Sequence, residues 1–313
     1  MNTYRSTHFS LHPLAEGVTA VIASDAGAAI GNAGLIQLGG QIVVFDTFMT
    51  PRAAVDLKRA ADELFGRAPT LVINSHYHND HIWGNEVFEG SAPIASTIRT
   101  RELIATAVKE EFDWFSANSA QRLATFRAEY READERQRAE LLFWITYYET
   151  LAAALPTLKV VMPDVTFDDR MDIYGGGRKA EIIAFESAHS ENDAILYLPQ
   201  DGIVFMSDLL FVDCHPYLAD GDALKFLKAL KEIEKLDATC FVPGHGAVGT
   251  RDDLALMIAY IERCLQLAQE MRRAGETSKE NIAALKIPEP FQDWRFSNFF
   301  QMNMQFLCKD LLN

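Results

Sequence analysis

The chain is poor in cysteine. Its 313 residues include four, Cys214, Cys240, Cys264 and Cys308, and no two form a C-x-x-C pair. That excludes a disulfide framework and fits small buried thiols in a reducing compartment. Positive charge is scarce as well: 29 Lys and Arg face 44 Asp and Glu, for a net charge of −15. Nucleic-acid binders present a basic face, so a polyanionic partner is disfavoured. No run of about 18 apolar residues occurs, which excludes a membrane-spanning helix. Met1 to Pro13 has no basic segment leading into an apolar one. No secretory leader is read there, and the expected location is the cytoplasm. G-x-S-x-G is absent, so no serine nucleophile is signalled. Repeats and low-complexity linkers are absent too. What remains is a chain that is 49% hydrophobic, enough for a sizeable core, at a length suited to one domain with an insertion.

The most informative segment is His76-Tyr77-His78-Asn79-Asp80-His81, which follows the buried-strand pattern Leu71-Val72-Ile73-Asn74. Imidazole suits zinc and carboxylate is a harder second ligand, so four such groups in one loop read as a metal site. A lone His in a loop is usually a surface or capping group. Four candidate ligands directly after a strand are not explained that way. In an extended backbone His76 and His78 point to one side and can share an ion. Asp80 and His81 then project elsewhere and can grip a second.

Around this loop the pattern is that of an α/β protein. Strands are expected at Val18–Ile22, Leu35–Leu38 and Gln41–Phe45, the last two joined by Gly39-Gly40 as a hairpin. A helix is expected from Thr50-Pro51 to about Phe65. His8 and His12 read as surface residues of an unpatterned N-terminus. Residues 97 to 155 read as two or three amphipathic helices inserted between the metal loop and later strands, with Ile104, Val108, Phe112 and Phe115 on one apolar face. Trp114, Phe115, Trp144 and Tyr147 suit a structural layer, a lid or a homodimer interface equally. Strand pattern resumes over Pro163–Tyr174 and Lys179–Phe185, with Gly175-Gly176-Gly177 as the turn. Further strands follow at Ala194–Leu198, Ile203–Met206 and Thr239–Val242, and helices at Asp222–Lys235 and Asp252–Arg273. An aromatic tail, Pro288 to Leu312, ends in a helix.

His-x-His-x-Asp-His after a strand resembles the signature of the metallo-β-lactamase-fold hydrolases. Other elements of that family's pattern occur in order. Ala188-His189-Ser190 follows the strand Ile182–Phe185, Asp208 ends the strand Ile203–Ser207, and His245 lies in Pro243-Gly244-His245-Gly246. The resemblance covers roughly residues 30 to 250. It implies a four-layer αββα sandwich carrying the helical insertion at about 97–155 and a helical tail at about 252–313, as a single domain over 1–313.

The resemblance also implies two metal sites. One uses His76, His78 and His189, the other Asp80, His81 and His245, with Asp208 bridging them. The expected cofactors are two zinc ions, with iron or manganese as alternatives. A hydroxide held between two ions would be the nucleophile, since coordination lowers the pKa of water to about 7. Asp80 and Asp208 are then the catalytic carboxylates. Asp46, Thr47 and Asp193 are candidates to orient the ligands from behind. His215 and Tyr217 follow Asp208 in a loop that borders the pocket in this family, as candidates for substrate contact. The expected substrate is a small ester, thioester, lactone or amide, with neither nucleic acid nor membrane as partner. An iron-dependent persulfide dioxygenase would need only His76, His189 and Asp208. A β-lactamase is the other alternative, although Asp208 departs from the pattern of the true lactamases.

Overall fold

The chain opens as an antiparallel meander of β1 (Phe9–Ala15), β2 (Val18–Ala23), β3 (Ala33–Leu38) and β4 (Gln41–Phe45) in a computed structural model that describes residues 4–25 and 27–310. The presence of β1 corrects the reading of an unpatterned N-terminus. Pro13 argues against a strand by sequence, but β1 is the sheet edge, where a missing amide costs nothing. His8 is buried just before it, and its Nδ1 accepts from the Ala28 amide at 3.2 Å; His12 is exposed.

Helix α1 (Pro51–Phe65) starts where Thr50 accepts from the Ala53 amide and ends at Gly66 in the left-handed region. Its small apolar face, with Leu57 at the centre, packs on the outer side of the first sheet. The chain then re-enters that sheet in parallel, as β5 (Leu71–Ile73), β6 (Ile94–Thr97) and β7 (Val165–Phe167), completing seven strands in sequence order. The second sheet contains β8 (Arg170–Gly175), β9 (Arg178–Glu186), β10 (Asn192–Leu198), β11 (Ile203–Phe211) and β12 (Cys240–His245), in the order β12-β11-β10-β9-β8. The strand pattern over Pro163–Tyr174 therefore divides between the two sheets. Gly176 and Gly177 both take positive φ, 60° and 77°, in the two-residue turn joining β8 to β9.

The inner faces of the two sheets meet in a dry core that includes Ile36, Phe45 and Ile73 from one and Leu196, Phe205 and Val242 from the other. Helices α6 (Ala223–Ile233), α7 (Arg251–Ala274) and α9 (Ser297–Asp310) cover the outer face of the second sheet. The layers are thus αββα, the sandwich implied by the sequence motifs. Leu312, the expected end of the tail, lies outside the described residues. Short helix α8 (Lys279–Ala283) packs with α9, short helix α2 (Asn79–Ile82) follows β5, and among the described residues no helix is long and apolar enough to cross a membrane.

Between β6 and β7 the chain forms α3 (Ile98–Ala105), α4 (Ala107–Glu132) and α5 (Glu135–Ala154). α5 is set by a capping box, Asp134 with Gln137. The apolar faces of α4 and α5 share a cluster with Ile82 and Trp83, which follow the metal loop directly. That shared packing places the inserted helices over the end of the sandwich where the ligand residues gather.

Candidate metal centre

Four separate stretches of chain deliver the candidate ligands to one place. His76 and His78 leave β5, and Asp80 and His81 sit on the single turn of α2. His189 lies between β9 and β10, Asp208 within β11, and His245 at the end of β12. The loop after β5 is fixed from behind. The Asn74 and Asn85 side chains exchange two hydrogen bonds, and the Thr47 hydroxyl approaches Asn85 Oδ1 and the His81 carbonyl at 2.9 and 3.1 Å. Thr47 therefore acts on the backbone of a ligand rather than on its ring.

The side chains form two groups, His76, His78, His189 and Asp208 in one, Asp80, His81 and His245 in the other, each with ligand atoms within 4.8 Å of one another. Asp208 joins them. Its Oδ2 lies 3.2 Å from His189 Nε2 and 4.0 Å from His76 Nε2. Its Oδ1 lies 3.1 Å from His81 Nε2 and 3.5 Å from His245 Nε2. Each carboxylate oxygen thus faces one cluster. Asp80 Oδ2 completes the second at 3.3 Å from His245. Buried His76 Nε2, His81 Nε2 and Asp208 Oδ1 have no hydrogen-bond partner. Buried polar atoms are ordinarily satisfied, so a cluster of orphans aimed at common points fits cations.

Four of the five imidazoles, those of His76, His78, His81 and His189, are turned by a contact on the far nitrogen, as metal-binding His usually is. His81 Nδ1 lies 2.9 Å from Asp46 Oδ2, and His76 Nδ1 lies 2.9 Å from Ser75 Oγ. His78 instead meets Asp220 Oδ2 through Nε2 at 3.0 Å, which leaves Nδ1 facing His189. His189 Nδ1 bonds the Tyr217 carbonyl at 3.0 Å. Asp46 also accepts from the Ser75 amide at 2.8 Å and lies 2.8 Å from the Ser75 and Ser207 hydroxyls. Asp46 and Ser207 both adopt positive φ, 62° and 46°, a strained backbone held at this one junction.

Electrostatics follow from burial and these partners. Burial keeps the His76 and His189 imidazoles neutral, His189 pushed down to about 4. Burial also acts to lower His245, but the Asp208 and Asp80 carboxylates outweigh it and lift the ring to about 9. Burial would raise Asp208, yet the surrounding imidazoles, His245 foremost, hold it well below the usual carboxylate range.

Gly244 makes this approach possible. A Cβ there would collide with Asp208 Oδ1, so the Pro-Gly-His turn needs a residue without a side chain. Gly221 does the same for the loop carrying Asp220, whose backbone passes against the Ala188 carbonyl beside His189.

Other expected residues sit differently. Asp193 accepts from the Ser190 amide and hydroxyl, with burial lifting it to about 6, so it shapes the turn after His189 rather than touching an imidazole. His215 is not on the cavity. It is buried with Nδ1 3.1 Å from the Tyr260 hydroxyl and its ring against Trp294 and Phe300. The substrate-contact reading of His215 is therefore corrected: β11 runs on to Phe211 and carries the following loop past the site into the helical layer. Tyr217 does line the cavity. Cys214 is buried, and burial pushes its thiol to about 12.

A cavity of about 420 Å³ opens over the ligands, walled by α4, α5 and the tail. Sequence reading missed two polar members, Asp220 and Glu111. Glu111 receives Asn79 Nδ2 at 3.1 Å, its Oε2 has no partner, and burial lifts its carboxyl to about 7.

The fold and the clustered His and Asp residues together define a member of a known group. The chain belongs to the metallo-beta-lactamase superfamily, whose model matches residues 26–245, a span that holds all seven candidate ligands. It is similar in structure to a metallo-beta-lactamase from Pontibacter korlensis, with a TM-score of 0.58 and 17% identity over 81% of this chain and 99% of that one. It is also similar to 2,4-dinitroanisole O-demethylase subunit alpha of Nocardioides sp. (strain JS1661), 22% identical over 273 residues, 84% of this chain and 69% of that protein.

Proposed function

We propose that this protein is a dinuclear metal-dependent hydrolase acting on a small, uncharged ester, thioester, lactone or amide. One observation carries the reading: the two oxygens of Asp208 face two separate ligand clusters. His76, His78, His189 and Asp208 would hold one ion; Asp80, His81, His245 and Asp208 would hold the other. When bound, such a pair supplies Lewis acidity and water whose pKa falls from about 15.7 to about 7. Zinc is the first ion to test, because three imidazole ligands with an open position suit it.

The protein's own groups orient and exclude. Asp46, Asp220 and the Tyr217 carbonyl fix which imidazole nitrogen faces inward. The aromatic walls lower the polarity around the reacting group, which strengthens charge interactions there. A one-iron dioxygenase would leave Asp80, His81 and His245 without a role. Among the described residues lining the cavity there is no Lys or Arg. β-Lactam antibiotics carry a carboxylate, which would find no cationic side chain here, and this counts against a lactamase. A second substrate class enters from the Nocardioides relative: its name specifies demethylation of 2,4-dinitroanisole, an aryl methyl ether, so aryl ethers belong in the screen.

The test is hydrolysis of a neutral panel of esters, thioesters, lactones, anilides and anisoles, with nitrocefin alongside. Turnover of at least one neutral substrate, abolished by chelation and restored by zinc, is expected, with negligible nitrocefin cleavage. Turnover indifferent to chelation, or nitrocefin as the best substrate, would overturn the proposal.

A further inference from the structure

The cavity wall has a composition that the metal chemistry alone does not require. Trp114 and Phe115 from α4, Trp144 and Tyr147 from α5, and Phe296 and Phe299 from the tail all line it. Their rings form one unbroken chain. Trp114 meets Phe115 at 5.2 Å between centroids, Phe115 meets Tyr147 at 6.2 Å, and Tyr147 meets Trp144 at 5.7 Å. Trp144 then meets Phe299 at 5.8 Å, and Phe299 meets Phe296 at 5.8 Å. These contacts are edge-on or tilted, with interplanar angles from 52° to 78°. Such a wall presents both ring faces and ring edges, the complementary surfaces that a further aromatic ring prefers over an aliphatic one.

Charge narrows the choice. The ionisable groups on the lining are the acids Asp80, Glu111, Asp208 and Asp220 and the ligand imidazoles, with Tyr147 and Tyr217 as phenols. An anionic substituent would have no cationic side chain to meet. Glu111, lifted to about 7, is only partly ionised at neutral pH, so these acids would offset most of the charge of two divalent ions. The lining also carries polar groups, the Tyr217 phenol and the Asn79 and Glu111 side chains among them, that suit a ligand with a hydrogen-bonding substituent.

We propose that the cavity is a recognition site for an uncharged aromatic ring system carrying a polar substituent, seated along the ring chain built jointly by the inserted helices and the C-terminal tail. This rests on the hydrolase reading only in placing the reacting group over the ligand cluster; binding of the ring is separable from turnover. The insertion is then the substrate-selecting part of the molecule. A cavity of about 420 Å³ has room for two fused rings.

The experiment is calorimetric titration of the full-length, zinc-loaded protein with four probes of one size. These are 2-naphthamide, its decahydro counterpart, naphthalene-2-sulfonate and the 2-naphthyltrimethylammonium cation. The amide with intact rings is expected to bind about tenfold or more tightly than the other three, the scale of a few aromatic contacts. In Trp114→Ala, and separately in Phe299→Leu, the preference for the aromatic over the decahydro amide should fall severalfold. A merely structural role would weaken both amides together. Trp114 is half-exposed, so its variant is expected to fold. Equal or tighter binding of any of the three other probes, no detectable binding of 2-naphthamide, or an unchanged preference in both variants would overturn the inference. Ring preference without any metal-dependent hydrolysis would sink the hydrolase reading alone. Hydrolysis without ring preference would sink this inference alone.

Discussion

Replacing Asp208 with alanine is expected to remove about one metal ion per chain and to lower kcat/KM by about a thousandfold. That is the rate equivalent of the several kcal/mol a Lewis-acidic ion supplies. The expectation follows from position. Asp208 is the residue whose carboxylate lies within 3.5 Å of ligand nitrogens from both clusters, His189 on one side and His81 and His245 on the other. Its removal leaves the imidazoles in place but unbridged. Asp208→Asn is the shape-preserving control, since it fills the space that Gly244 leaves open. It should keep the melting temperature closer to wild type while still losing most activity. Full activity in the alanine variant would show that the two clusters do not act through this residue.

Asp46 carries the second large effect. It touches no cation, yet its carboxylate gathers His81 Nδ1, the Ser75 amide and the Ser75 and Ser207 hydroxyls in a buried junction. Asp46→Ala strands those donors, each worth about 1–3 kcal/mol when buried without a partner. It also places alanine at a φ of 62°, which costs a further ~1–2 kcal/mol. Allowing for non-additivity, a loss of about 3–5 kcal/mol in stability is expected by denaturant titration. Metal affinity should fall about 10- to 100-fold, the usual effect of removing a ligand's outer partner. Asp46→Asn tolerates the left-handed backbone and should recover most of the stability but not the metal affinity. Unchanged metal affinity in both variants would mean that Asp46 serves only the fold.

The loop from His76 to His81 was legible because its chemistry is concentrated in sequence: four ligands within six residues after a strand. The three remote ligands were legible only through the family pattern. Nothing local marks His189, Asp208 or His245; the parallel pairing of β11 with β12 brings Asp208 and His245 together, and the antiparallel pair β9–β10 carries His189 to them. Asp220 was illegible because it sits in an ordinary polar turn, Ala219-Asp220-Gly221, that matters only once it folds over His78. Glu111 was hidden among Lys109, Glu110 and Asp113, where one buried acid looks like its exposed neighbours. His215 was misread for the opposite reason. Closeness to Asp208 in sequence suggested closeness in space, but the extra length of β11 takes it elsewhere. The aromatics of the insertion were visible as a group, while the cavity they face depends on a tail that joins them from the far end of the chain.

The measurement that bears most directly on the central claim is the metal content per chain of the purified protein, read by inductively coupled plasma mass spectrometry alongside Asp208→Ala. Two clusters joined by one carboxylate predict about two ions per wild-type chain, before or after reconstitution, and about one in the variant. A wild-type protein that binds no metal even after reconstitution, or a variant that retains both ions, would contradict the account.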